Sequence, residues 1–148
     1  MPNKNTFDIK PIGELIEEYR PSGALVSVDP FANKNRIADI CNDIDPQYDC
    51  DHQMDALVFL KKLSTSGTDF LLFDPPYSPR QVSEVYKSLD MTVNMQTTQS
   101  SFWGNLKKEI SRVVACGGIV MSFGWNSGGI GKSNGFEIIE VLIVAHGG

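Results

Sequence analysis

The apolar positions of the chain alternate between helical spacing and short unbroken runs. Ile12, Leu15, Ile16 and Tyr19 fall at i, i+3, i+4 and i+7, one helical stripe that Pro21 and Gly23 bring to a stop. Ala24 to Val28 then predicts a short buried strand ending at Asp29-Pro30, and a weaker strand is expected from about Arg36 to Asn42, ending at Asp43. Ala56, Leu57, Phe59, Leu60 and Leu63 mark a second helix, followed by a polar turn from Ser64 to Thr68. Asp69 to Phe73 predicts a strand, and its run from Phe70 to Phe73 is apolar throughout, as in a strand covered on both faces.

Val82, Val85, Tyr86 and Leu89 give another helical stripe, and the polar residues from Asp90 to Ser100 predict a surface loop. Trp103, Leu106, Ile110 and Val113 mark a further helix, which Gly117-Gly118 is expected to end. Ile119 to Phe123 predicts a buried strand, Gly124 to Gly135 a loop, and Phe136 to Ala145 a last strand. Helices alternating with strands predict an α/β fold with a mostly parallel central sheet and helices on both faces. A length of 148 residues fits one domain over 1–148.

Composition narrows the class. An apolar share of 41% and a charged share of 21% fit a soluble globular chain. No apolar run approaches the roughly 20 residues that span a bilayer, and the N-terminus lacks a signal-peptide layout. A cytoplasmic setting without membrane attachment is expected. Cys41, Cys50 and Cys116 are odd in number and widely spaced, which argues against a disulfide framework. Cys41, Cys50 and His52 lack paired CxxC spacing, so no metal is expected. A net charge of −5 argues against tight, non-specific DNA binding through phosphates alone. Phosphate contacts would fall to a local patch, for which Arg80, Lys87, Lys107, Lys108 and Lys132 are candidates.

Asp74-Pro75-Pro76-Tyr77 follows directly on an apolar strand. In an open α/β sheet, ligands bind at the carboxyl ends of the strands. Two prolines stiffen the loop and remove two N–H donors, leaving acceptors: the Asp74 carboxylate and the Pro75 carbonyl. An exocyclic aromatic amine is a poor nucleophile because its lone pair is delocalised into the ring. Two acceptors on its hydrogens favour a pyramidal nitrogen, and Tyr77 offers a ring for an extruded base to stack on. The competing reading is a proline-stiffened turn with a core tyrosine.

With these residues the chain resembles the DNA adenine-N6 methyltransferases whose catalytic motif is DPPY. Val28 to Ala32 resembles the family's first motif for S-adenosyl-L-methionine (SAM), Asp43-Ile44-Asp45-Pro46 the acidic end of its second strand, and Asp55-Ala56-Leu57 its adenine-contacting motif. Gly117 to Val120 resembles the strand after the last crossover helix. The resemblance implies a Rossmann-like class I methyltransferase fold, incomplete at its C-terminal edge. It implies SAM as cofactor and DNA, with a single-stranded or flipped adenine, as partner. Asp74, Pro75, Pro76 and Tyr77 would be catalytic. SAM would meet Asp29, Pro30, Phe31, Ala32 and Asn33, with Asp43 at the ribose, Asp55 and Ala56 at the adenine, and Lys10 completing the set.

The first motif departs from the family in having no glycine after Phe31, and Asn33 or Asn35 is expected to take the left-handed turn instead. No target-recognition segment stands out, and Trp125, in the loop from Gly124 to Gly135, is a candidate wall of a base pocket. His52 and His146 need no catalytic role. The exposed sheet edge is expected to be covered by a second copy or a partner subunit. RNA or protein-amide methylation, and a non-catalytic subunit that keeps the fold, are the alternatives.

Overall fold

Among the described residues, a parallel sheet of four strands runs through the protein in the order β2 (Ile40–Cys41), β1 (Ser27–Asp29), β3 (Thr68–Phe73) and β4 (Val114–Ser122). The computed structural model describes residues 6–23, 25–76, 80, 84, 87 and 100–145. In chain order these form α1 (Lys10–Tyr19), β1 (Ser27–Asp29), β2 (Ile40–Cys41), α2 (Ala56–Lys62), β3 (Thr68–Phe73), α3 (Ser100–Val113) and β4 (Val114–Ser122). A 3-10 turn, Thr6–Asp8, leads into α1, and another, Lys132–Asn134, follows β4.

Strand β3 organises the two larger cores, one on each face of the sheet. Successive side chains of a strand point to opposite faces. Phe70 and Leu72 pack with Phe7, Ile12 and Ile16 of the α1 layer. Leu71 and Phe73 pack with Phe59 and Leu60 of α2 and with Leu106 and Ile110 of α3. All four β3 side chains are essentially inaccessible to solvent. The unbroken apolar run therefore means what it predicts, a strand covered by helices on both sides.

Charged side chains secure the strand and helix ends. Asp69 accepts the Val26 N–H at 2.9 Å, and Asp39 accepts both the N–H and the hydroxyl of Ser27. Asp51 accepts the Cys41 N–H at 2.8 Å. These carboxylates take amides at the start of β1 and in β2, and both strands are shorter than the expected Ala24 to Val28 and Arg36 to Asn42. Arg112 of α3 donates to the carbonyls of Leu60 and Leu63 at the end of α2, at 2.8 and 3.0 Å. It so adds a charged donor to the Leu60 carbonyl, which also accepts the Leu63 N–H, and supplies a donor to the carbonyl of Leu63, the C-cap.

Two expectations need correction. Gly117 and Gly118 do not end the helix: α3 stops at Val113, and both glycines lie inside β4. Thr68 pairs with Val114 but Phe70 with Ile119, so β4 carries a bulge there. Gly117 sits at φ +80°, and a Cβ on Gly118 would lie 2.6 Å from a Val114 methyl and 2.9 Å from the Ala115 carbonyl oxygen. The pair makes the bulge possible rather than stopping a helix.

Phe136 to Ala145 is the second correction, because no residue of it is in a strand. Phe136 and Val144 pack on the two cores, and the Tyr19 hydroxyl donates to Glu140 at 2.5 Å. Ile139 and Ile143 remain 68% and 88% exposed. Apolar composition favours β structure, but a strand exists only through a ladder partner, and the described residues supply none. The helical stripe expected over Val82 to Leu89 and most of the loop from Asp90 lie outside the described residues. Arg80, Glu84 and Lys87 are helical, with Arg80 and Glu84 paired at 2.8 Å. Among the described residues no helix is long and apolar enough to cross a membrane.

Arg112→Ala is expected to lower unfolding free energy by about 2 kcal/mol, the loss of charge-assisted bonds to carbonyls that stay partly buried. Urea unfolding measures this. A change under about 0.5 kcal/mol, the size of an ordinary surface effect, would show that water replaces the guanidinium.

Candidate functional site

The strand order reverses between β1 and β3, and the crevice outside their carboxyl ends is where such sheets bind ligands. β1 ends at Asp29, and β3 runs into Asp74. The two acids singled out by the strand-end pattern therefore meet at the switch point, near enough for the charge of Asp74 to raise the pKa of Asp29.

Asp29 is inaccessible to solvent. One carboxylate oxygen accepts the Phe31 N–H at 3.0 Å, and the other, Oδ2, has no hydrogen-bond partner among the described residues. Burial lifts its pKa well above the carboxylate range against the Phe31 bond, and the charges of Asp74 and Asp43 add to the lift. Burial also pushes Asp74 up to about 7, opposed by a hydrogen bond from Thr6. Thr6 is itself buried, so the turn ahead of α1 braces the tetrapeptide from behind.

Pro75 is buried, and the Pro76 carbonyl accepts the indole N–H of Trp103 at 3.1 Å. That bond ties the prolyl loop to α3. Tyr77 lies outside the described residues. Between the carboxyl ends of β3 and β4 lies a cavity of about 280 Å³, bordered by Phe73, Pro75, Trp103, Lys107, Ser122 and Trp125.

The remaining expected cofactor residues divide. Asn33 adopts φ 57°, so asparagine takes the left-handed position. Its N–H donates to Asp43 Oδ2 at 2.9 Å, while Asp43 Oδ1 accepts the Asp45 N–H. Asp43 thus holds the loop, with its pKa raised chiefly by burial. Phe31 lies with its ring 6.1 Å from that of Phe73, and Pro30 and Ala32 are buried beneath the loop. Asp55 caps α2, accepting from the N–H groups of Leu57 and Val58, and Ala56 belongs to the core. Lys10 is solvent-exposed and pairs with Glu14, 3.8 Å away on α1. The structure thus joins Asp29, Asp43 and Asp74 electrostatically, whereas Asp55 serves a helix end and Lys10 the surface.

Periodicity misses Asn42. This fully buried side chain donates to the carbonyls of Pro30 and Met54 and accepts the Met54 N–H. It ties the loop after β1 to the approach to α2. Its signal is faint: a polar residue at the end of a short strand. Thr6 and Trp103 also escape, because their roles depend on contacts distant in sequence. Lys107 stands one helical turn beyond Trp103 on the same side of α3. Among the described residues no cluster of metal-ligating side chains occurs, and all three cysteines are free. Burial raises the Cys50 thiol to about 11, which leaves it protonated and inert at neutral pH.

Asp74 titrates near 7 when folded against an ordinary value of 3.8, so between these the folded state holds more proton. Its contribution to stability therefore falls as pH rises from about 4 to about 7, and levels off above that. Asp74→Asn is expected to remove roughly 2–4 kcal/mol of that decline, measured by urea unfolding across the window. A variant with the wild-type slope would contradict the burial of this carboxyl.

No protein-family model, curated protein or solved structure matches the chain. The architecture on its own is a generic Rossmann-like one, a mostly parallel α/β sheet flanked by helices.

Proposed function

We propose that the protein is a SAM-dependent methyltransferase acting on the N6 amine of adenine in DNA, with its chain folded as one class I methyltransferase domain. The observation that carries the reading is the buried, half-satisfied carboxylate of Asp29 beside Asp74 at the switch point, with a cavity next to Pro75.

The residues present suit such a cofactor. A buried carboxylate oxygen without a donor is costly, and a cationic or N–H-bearing ligand relieves that cost. Asn33 gives the loop after β1 the turn that glycine gives elsewhere, so the missing glycines do not close the site. Asp29 and the loop held by Asp43 and Asn42 would hold SAM. When bound, SAM supplies an electrophilic methyl group on a sulfonium.

The chain's own residues supply position and charge. Asp74, once ionised, accepts one hydrogen of the adenine amine, and the Pro75 carbonyl accepts the other. The nitrogen lone pair is then localised and aimed. Orientation of this kind contributes as much as roughly 7–11 kcal/mol in favourable cases. The bond from Trp103 to Pro76 and that from Thr6 to Asp74 keep both acceptors in place. The methylated amine sheds its proton readily, so no strong base is needed, and neither histidine is required.

Transfer of labelled methyl from SAM to adenine-containing DNA tests the reading. Asp74→Ala is expected to lower turnover at least about 100-fold, as loss of a preorganised polar group does, while SAM still binds. Asp29→Asn is expected to abolish SAM binding without loss of stability, since an amide replaces a buried, poorly solvated carboxyl. Label in RNA or protein but not in DNA, or full activity in both variants, would overturn it.

A further inference from the structure

The cavity beyond Pro75 has a makeup that methyl transfer does not require. Both tryptophans of the chain, Trp103 and Trp125, border it. Trp103 is fixed twice: its indole N–H is held by the Pro76 carbonyl, and its ring meets Phe102 edge-on at 5.3 Å and 85°. Trp125 is 63% exposed, a large amphipathic ring kept at the mouth instead of in a core. Lys107 is the one charged residue among the described residues of the wall. It makes no ion pair among the described residues.

These features suit stacking more than backbone electrostatics. A volume of about 280 Å³ lies at the small end of ligand cavities, enough for one ring system and not for stacked base pairs. Aromatic platforms bind bases through their faces, whatever the base. Duplex DNA presents one charge per roughly 1.7 Å of axis and is held by several cations at once. A chain of net charge −5, with one lysine among the described residues of this wall, is poorly matched to that density. An unpaired base enters without the cost of unstacking and unpairing.

We propose that this cavity is a slot for one unpaired base of single-stranded nucleic acid, with Trp103 and Trp125 as stacking surfaces and Lys107 as the phosphate contact. The assignment deepens the adenine-methylation reading and rests on it for the choice of nucleic acid. Because the chain has no tryptophan elsewhere, its intrinsic indole fluorescence reports on the slot alone.

The test is fluorescence quenching and anisotropy with a ten-nucleotide oligodeoxyadenylate, single-stranded or paired with its complement, without SAM. The single strand is expected to quench and to bind at least tenfold tighter than the duplex. Trp125→Ala is expected to weaken binding roughly 5- to 100-fold, the range for loss of a stacking ring. Lys107→Gln is expected to flatten the plot of log affinity against log salt by about 0.7, one single-strand phosphate. Both side chains lie on the cavity wall and outside the buried core, and unchanged melting curves confirm folding. Equal or tighter duplex binding, no oligonucleotide binding, or wild-type binding by both variants would overturn the proposal. Calorimetry with SAM separates the two failures. Trp125-dependent binding without SAM affinity sinks the methyltransferase reading and keeps the slot, whereas SAM-dependent methylation confined to duplex does the reverse.

Discussion

Asp29 and Asp74 stand at the carboxyl ends of adjacent parallel strands, and the fold withdraws both carboxyls from water. Desolvation disfavours the charged form of each, and the charge of Asp74 adds to the effect at Asp29. An ordinary core would place apolar groups there. Keeping two acids at the switch point, one with an oxygen that nothing among the described residues satisfies, makes the crevice receptive to positive charge and to N–H donors. Carboxyls whose pKa values are perturbed by burial and by a charged neighbour are candidates for a functional site.

The rest of the crevice serves to hold that pair. Asn42 joins the loop after β1 to the approach to α2, Asp43 fixes the left-handed turn at Asn33, and Thr6 braces Asp74. Trp103 ties the prolyl loop to α3. Each tie spans elements distant in sequence, so the site's geometry is a product of tertiary packing. The rigidity of two consecutive prolines adds to it locally.

How much was legible in the sequence follows from which interactions are local. The apolar run Phe70 to Phe73 and the stripes on α1, α2 and α3 are periodic, and the structure places them where the periods predict. Gly117-Gly118 misleads because glycine marks both helix ends and bulges, and only the β3–β4 register distinguishes them. Phe136 to Ala145 misleads because β-forming composition does not supply a partner strand. The strand-end acids Asp29 and Asp74 are legible because an α/β sheet sends its strand ends to one edge. Asp55 is not resolved by the same logic, since an acid before a helix also caps it, and here it does. Thr6, Asn42 and Trp103 leave almost no local mark.

The most direct measurement of the central claim is the proton balance of SAM binding. Calorimetric titration near pH 7, in two buffers that differ in ionisation heat, gives the protons exchanged per cofactor bound. With Asp74 titrating near 7 and burial shifting Asp29 toward its neutral form, a cation arriving beside them is expected to expel a substantial fraction of a proton into solvent. Absence of binding, or binding with no proton released, would contradict the placing of the cofactor's positive charge at Asp29 beside Asp74.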